Sequence, residues 1–257
     1  MLTILLSLTL GLASAETQLK LNASDGSNVH AVATLTSGSK RGVVMAHMLG
    51  RDSSDWSFLA KKLHQTQFST IAVDLRGHGK SAKAGTTLTA EDYPAMIGDL
   101  EAGVAWLRKK GVTEISCVGA SIGANLCAQL SAADTAIVNL VLLSPGLNYK
   151  GITSGDALKA YGNRPVLIVA AEDDRFGPRA AAALETAAKG QAHYELLEEG
   201  GHGTKMLTRA PTLENTVMSW LAGTFKLVSG EIVRPTAEVK RGDDAIETSG
   251  RKMQVHQ

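Results

Sequence analysis

Short apolar runs alternate with amphipathic segments through most of the chain. The apolar runs, which predict buried strands, are residues 42–47, 70–74, 115–118, 137–143, 165–170 and 193–197. The segments with helical spacing are residues 55–63, 92–110, 124–130, 178–189 and 204–224. Ahead of them, residues 17–21 and 29–35 predict a β-hairpin at a sheet edge. This order predicts an α/β fold, a mainly parallel central sheet with helices on both faces.

One predicted strand must turn into the next predicted helix within residues 119–123, Gly-Ala-Ser-Ile-Gly. Strand and helix backbones approach so closely there that side chains at Gly119 and Gly123 would not fit. The strained turn lifts the hydroxyl of Ser121 clear of the sheet, at a helix N-terminus where the amide of Ile122 can bind an oxyanion. The pattern is typical of a nucleophile elbow and predicts Ser121 as a catalytic nucleophile.

A serine hydroxyl needs a base to take its proton and an acid to orient that base. His202 follows the last predicted strand in Gly-Gly-His-Gly, where loops at the carboxyl edge of a parallel sheet gather. The loop after residues 165–170 offers two carboxylates, Asp173 and Asp174, in the chain order serine, acid, histidine. The residues alone leave the choice between the two open, and predict that the other caps the helix that begins at Pro178.

Taken together, these pieces resemble the α/β-hydrolase family, in its small serine-esterase type that has no sizeable cap domain. The segments that carry the resemblance are residues 47–50 (His-Met-Leu-Gly), 73–81 (Val-Asp-Leu-Arg-Gly-His-Gly-Lys-Ser), 119–123, 172–178 and 200–203. The resemblance implies the α/β-hydrolase fold and favours Asp174 as the acid, because it stands four residues before a proline. It also implies the amide of Leu49 as a second oxyanion donor beside that of Ile122. Met48 departs from the family, which often has glycine at that position.

The implied activity is a serine hydrolase that cleaves carboxylic esters or thioesters of small to medium acyl groups through an acyl-enzyme. Two alternatives stay open, an amidase or peptidase with the same triad and a non-catalytic binding protein on the same fold. Residues 144–164 are too few for a helical cap and hold at most one short helix, so we expect an open groove with Met48, Leu147 and Phe176 as substrate-binding residues. No ligand spacing for a metal is present, and no metal or cofactor is predicted.

Composition excludes some partners. A net charge of +1, with acidic and basic residues spread along the chain, leaves no basic face for nucleic acid. The glycine-rich residues 76–81 lack the spacing of a phosphate-binding loop. The predicted partner is therefore a small-molecule ester or thioester, and the sequence does not indicate an oligomeric state.

The two ends of the chain differ from its middle. Residues 1–15 form a short apolar run that closes on Ala-Ser-Ala, which predicts a signal peptide and a secreted or periplasmic protein without stable membrane insertion after its removal. The hydrolase domain is predicted to span residues 16–225, followed by a polar tail at residues 226–257. The only cysteines, Cys117 and Cys127, are both predicted to be buried, and burial favours two free thiols over a disulfide.

Overall fold

A computed structural model describes residues 16–83, 87–227, 229–230 and 232–234. The predicted signal peptide and most of the predicted tail lie outside these ranges. The described residues contain no helix that is both long enough and apolar enough to cross a membrane.

An eight-stranded sheet forms the centre of the molecule, with spatial order β1-β2-β4-β3-β5-β6-β9-β10. Its strands are β1 (Thr17–Asn22), β2 (Asn28–Thr34), β3 (Arg41–Ala46), β4 (Ser69–Val73), β5 (Glu114–Ala120), β6 (Ile137–Leu143), β9 (Val166–Ala171) and β10 (Ala192–Leu197). β1 and β2 are the antiparallel hairpin at one edge, β2 pairs antiparallel with β4, and the other pairings are parallel. The predicted fold class is confirmed.

Helices cover both faces of the sheet. They are α1 (Ser57–Gln65), α2 (Asp92–Lys109), α3 (Ile122–Ala133), α4 (Gly155–Tyr161), α5 (Gly177–Ala187), α6 (Lys205–Arg209) and α7 (Pro211–Ala222). α2, α3, α4 and α5 pack on one face, and α1, α6 and α7 on the other, which gives two apolar cores. In β3, Val43 faces one core and Val44 the other, as expected for a strand buried on both sides.

Three local predictions differ from the structure. The predicted helix 204–224 is two helices, because Pro211 has no N–H to donate and holds Ala210 in a non-helical conformation. The predicted helix 55–63 begins instead with a 3₁₀ turn, Ser53–Trp56, which is capped by Asp52 and precedes α1. Within residues 144–164, a small ribbon of β7 (Asn148–Tyr149) and β8 (Ile152–Thr153) precedes the short helix α4.

The prediction of two free thiols is wrong, since Cys117 and Cys127 form a disulfide. Both side chains are fully buried in the core between β5 and α3. The turn at Ser121 sends α3 back along the strand that precedes it, which brings the two Cα atoms to 5.7 Å, within the usual range for a disulfide. Burial was predicted correctly, but the facing of the two side chains depends on how α3 packs against β5.

Candidate active site

The backbone at Ser121 has the strained geometry of the predicted elbow. Ser121 follows the last residue of β5 with a φ of 54° and a ψ of −119°, and α3 begins at the next residue. A Cβ atom on Gly119 would come within 2.2 Å of the carbonyl oxygen of Gly123, and one on Gly123 within 2.3 Å of the carbonyl oxygen of Ala46. Both positions therefore require glycine, because the strand, the helix and the end of β3 meet here.

Loops after two neighbouring strands bring His202 and Asp174 together. β9 and β10 pair in parallel up to Ala171 and Leu197, so the segments that follow leave the sheet side by side. Nδ1 of His202 lies 2.7 Å from Oδ2 of Asp174. The Asp174 side chain is largely buried, whereas that of His202 is about one third exposed. The hydrogen bond orients the imidazole and leaves its Nε2 for other partners.

Asp173 has a different task from its neighbour. Its Oδ1 accepts hydrogen bonds from the backbone N–H groups of Gly200, at 3.0 Å, and Gly201, at 2.7 Å. The Gly201 N–H in particular holds the pKa of Asp173 below its ordinary value. Asp173 therefore fixes the loop that carries His202, a role that the sequence analysis assigned instead to helix capping.

A second polar contact holds the same loop from the other side. Ser144, at the end of β6, accepts a hydrogen bond on Oγ from the N–H of Gly203 at 2.9 Å. Ser144 itself has a positive φ of 49° and donates its N–H to Val169. The histidine loop is thus tied to both β6 and the segment after β9, and sequence analysis identified neither contact.

His47 controls the loop in which the second oxyanion donor was predicted. Its Nδ1 lies 2.8 Å from the carbonyl oxygen of Met48, and its Nε2 accepts the N–H of Leu75 at 3.0 Å. Burial lowers the pKa of His47 to about 4, which keeps the ring neutral in this arrangement. Because the two sides of a trans peptide point in opposite directions, anchoring the Met48 carbonyl also sets the direction of the Leu49 N–H.

Of the residues predicted to contact substrate, Leu147 and Phe176 line an open groove and Met48 does not. Met48 is buried in the core with α1 and α7. Its sulfur lies only 2.6 Å from the position that a Cβ atom on Gly203 would occupy. Its side chain therefore packs under the histidine loop. The groove has a volume of about 860 Å³, and its walls include Leu147, Tyr149, Arg175, Phe176, Arg179 and His202.

Tyr149, which sequence analysis missed, stands over the nucleophile. Its hydroxyl donates to the carbonyl oxygen of Ser144 at 3.5 Å and lies near the Ser121 side chain, and burial raises its pKa. Its ring meets that of His202 edge-on, with the centroids 6.3 Å apart. A Cβ on Gly146 would come within 2.6 Å of the Tyr149 ring, so the glycine leaves room for it.

A buried asparagine positions the ribbon that carries Tyr149. Asn125 lies on α3, one turn after the nucleophile, and is fully buried. Its Nδ2 donates to the carbonyl oxygen of Ile152 at 2.7 Å, and its Oδ1 accepts the N–H of Gly146 at 3.0 Å. A polar residue at a core-facing position of a helix was the available sequence signal for this contact.

No group of three or more histidine, cysteine, aspartate or glutamate side chains in the described ranges is arranged to hold a metal ion.

Comparison with known sequences covers the first part of this site. A family model described as serine aminopeptidase, S33, matches residues 38–162, which include the elbow but not Asp174 or His202. Uncharacterized proteins of Mycobacterium tuberculosis and Mycobacterium bovis are 30% identical over 110 residues, or 42% of this chain and 30% of each relative. The chain thus spans less than a third of the length of these curated relatives.

Solved structures are similar over most of the chain. An esterase of Pyrococcus furiosus, Pf2001, has a TM-score of 0.69 at 16% identity and covers 81% of this chain and 91% of its own. DcsB, solved in complex with a substrate analogue, has a TM-score of 0.72 at 14% identity, with 82% and 100% covered. An esterase of Exiguobacterium antarcticum has a TM-score of 0.63 at 17% identity, with 80% and 100% covered. At these identities, the likeness shows a shared fold.

Proposed function

We propose that this chain is a serine hydrolase of the α/β-hydrolase family that cleaves carboxylic esters or thioesters of small to medium acyl groups. The observation that carries the proposal is the 2.7 Å hydrogen bond between His202 and Asp174 in the loops beside the strained Ser121 turn. Esterases among the structural neighbours favour ester chemistry.

The proposed reaction begins at the hydroxyl of Ser121. Its oxygen attacks the substrate carbonyl carbon while Nε2 of His202 accepts the hydroxyl proton, and Asp174 stabilises the imidazolium that forms. The tetrahedral intermediate collapses as Nε2 returns the proton to the departing alcohol or thiol, which leaves an acyl group on Ser121. Water then attacks the acyl-enzyme by the same steps and releases the acid.

Two backbone amides are proposed to bind the oxyanion. The amide of Ile122 lies in the first turn of α3, where N–H groups have no intrahelical acceptor, and the amide of Leu49 is set by the contacts of His47. Each such donor is worth about 2.7 to 4 kcal/mol of transition-state stabilisation.

The groove supports small and medium substrates. Leu147 and Phe176 are 53% and 71% exposed, and residues 144–164, where a cap would be inserted, contain only a two-strand ribbon and one short helix. Such walls bury only a few methylene groups, at about 0.8 kcal/mol each. We therefore propose soluble short-chain to medium-chain esters as substrates, without activation at a lipid interface.

Export is proposed on two grounds. Residues 1–15 have the features of a signal peptide, and the Cys117–Cys127 disulfide fits an oxidising compartment outside the cytoplasm. Mass spectrometry of the protein recovered from its native compartment tests this. Glu16 is expected as the mature N-terminus, and an intact Met1 would contradict export by cleavage.

Labelling with a fluorophosphonate probe tests the nucleophile. Wild-type protein should react at Ser121, and the Ser121→Ala variant should not react. Ser131→Ala is a matched control on the same helix, since the Ser131 hydroxyl has no hydrogen-bond partner among the described residues, and it should label like the wild type. A folded wild-type protein that stays unlabelled would favour the non-catalytic alternative.

The description of the matching family model as an aminopeptidase keeps the amidase alternative in view. Chromogenic esters of increasing acyl length, with matched anilides, distinguish the two activities. We expect cleavage of the esters and little or no cleavage of the anilides. Faster anilide cleavage would favour an amidase or peptidase with the same three residues.

A further inference from the structure

Two arginines in the groove wall have no acidic partner among the residues that the structure describes. Arg175 and Arg179 line the same groove as His202, and both side chains are exposed. Among the described residues, neither forms an ion pair, although the Arg175 guanidinium carbon lies 5.2 Å from the centre of the Phe176 ring. One end of the groove is therefore cationic beside an exposed aromatic surface.

The neighbouring carboxylates are engaged elsewhere and do not neutralise this charge. Asp174 binds His202, and Asp173 binds the backbone of the histidine loop. Glu172 is exposed and forms no ion pair with either arginine among the residues that the structure describes. The net charge of the whole chain is only +1, so the pair of arginines is a local feature rather than part of a basic surface.

Helix α5 adds to the same potential. Arg175 precedes the helix and Arg179 lies in its first turn, at the positive end of the helix dipole, where the Asp174 carboxylate also lies beside Gly177. Guanidinium groups bind carboxylates through paired N–H donors that point the same way. Phe176 and Leu147 supply exposed apolar surface to the same groove, which His202 also lines.

We infer that the groove binds esters or thioesters that carry a carboxylate several atoms away from the scissile carbonyl. Arg175 and Arg179 bind the carboxylate, and Phe176 and Leu147 contact the apolar chain between the two ends. This inference rests on the proposed hydrolase function and names the class of substrate for that site.

The test compares two esters that differ only in charge, mono-p-nitrophenyl adipate and its neutral methyl ester. Each kcat/KM is divided by the rate constant of hydroxide hydrolysis of the same ester. We expect a normalised ratio of anionic to neutral ester of about 5 to 20 at low ionic strength, which falls towards one in about 0.5 M salt. Arg175→Ala and Arg179→Ala should each lower the ratio about two-fold to five-fold, and the double variant should lower it to about one.

A second pair of esters shows which half of the substrate carries the carboxylate. In 4-acetoxybenzoate the charge is on the leaving group, and its methyl ester is the neutral counterpart. A preference for the charged member of either pair that depends on both arginines supports the inference. The control is Arg108→Ala, which should leave both ratios unchanged. It removes an exposed arginine of α2 that is paired with Asp134.

Failure of the inference is distinguishable from failure of the proposed function. If neutral esters are cleaved and Ser121 labels, but neither anionic ester is preferred, only the inference is overturned. If no ester is cleaved and Ser121 does not label, both are overturned. Arginine-dependent binding to phosphatidylglycerol vesicles, without a preference among soluble esters, would assign the two side chains to a lipid surface and would also overturn the inference.

Discussion

The loops after β4 and β9 leave the same edge of the parallel sheet, and both combine aspartates with arginine. After β4, Asp74 accepts hydrogen bonds from the backbone of Ser53 and Lys80 and contacts His30. In the same loop, Arg76 binds Asp99 through several N–H groups and also binds Asp25. The charged side chains of the β4 loop are therefore paired with other groups of the protein.

The β9 loop uses its charges differently. Its two aspartates hold the histidine loop, but Arg175 and Arg179 line the open groove and form no ion pair with a carboxylate in the described part of the chain. Aspartate and arginine side chains therefore stabilise the fold in the β4 loop, whereas the arginines of the β9 loop are available to a ligand. The two loops differ in how deeply their charged side chains are buried and in which groups those side chains bind. Their residue composition does not distinguish them.

The largest effect is expected from the two adjacent aspartates of the β9 loop. Asp174→Asn should lower kcat about 10⁴-fold, because an amide cannot stabilise the imidazolium or fix its tautomer. Asp173→Asn should cost less than about ten-fold, since the amide oxygen can still accept the N–H groups of Gly200 and Gly201. Steady-state kinetics on one neutral ester measures both. A larger loss in Asp173→Asn would reverse the two assignments.

The same substitution in the two loops tests their difference directly. Arg76→Met leaves the buried Asp99 carboxylate without its cation and should lower the free energy of unfolding by about 3 to 5 kcal/mol. Arg175→Met should change it by less than about 0.5 kcal/mol. Urea unfolding of the two variants provides the measurement, and similar losses in both would remove the distinction between the loops.

The pH dependence of the Arg76→Met variant sharpens this test. Burial already raises the pKa of Asp99, and removal of the cation raises it further. A folded state that holds a proton more tightly than the unfolded state loses stability as pH rises. The deficit relative to the wild type should therefore be larger at pH 8 than at pH 5.

His47 links the β4 loop to the proposed oxyanion loop, and its titration is expected to weaken that link. Its pKa is lowered by burial to about 4, from 6.5, so below pH 6.5 the unfolded state binds a proton that the folded state does not. Stability should thus fall by about 3 kcal/mol between pH 6.5 and pH 4, at 1.36 kcal/mol per pKa unit. His47→Gln should show a flatter slope in this range, and an equal slope would exclude His47 as its source.

The sheet could be predicted well because its strands are buried on both faces. Runs such as residues 137–143 have no polar alternation, and each corresponds to a strand of the central sheet. The order of the strands in the sheet depends on which strands pair with each other. It could not be predicted from the sequence of any single apolar run. The ends of helices were less predictable, as the break before Pro211 shows.

The site residues that were predicted have signals in the adjacent sequence. The features that were missed depend on contacts between residues that are far apart in the chain. Ser121 has a local signal, since two glycines and a strand-to-helix turn surround it. Tyr149 lies in a ribbon whose strands have two residues each, too short for any periodicity, and it is placed by Asn125. The pairing of Cys117 with Cys127 also depends on tertiary packing.

The smallest expected effect concerns the hydroxyl of Tyr149. In Tyr149→Phe the ring keeps its edge-on contact with His202, and the O–H group that donates to the Ser144 carbonyl oxygen and lies near Ser121 is lost. A neutral hydrogen bond is worth about 0.5 to 1.5 kcal/mol, so kcat on a neutral ester should fall about two-fold to ten-fold. Tyr93→Phe is the matched control, because Tyr93 lies under Lys150 of the same ribbon turn and has no contact with Ser121 among the described residues. If kcat and thermal stability are both unchanged in Tyr149→Phe, the Tyr149 hydroxyl has no part in the reaction and its ring only lines the groove. Arg175 and Arg179 would then be the polar groups of the groove that remain available to a substrate.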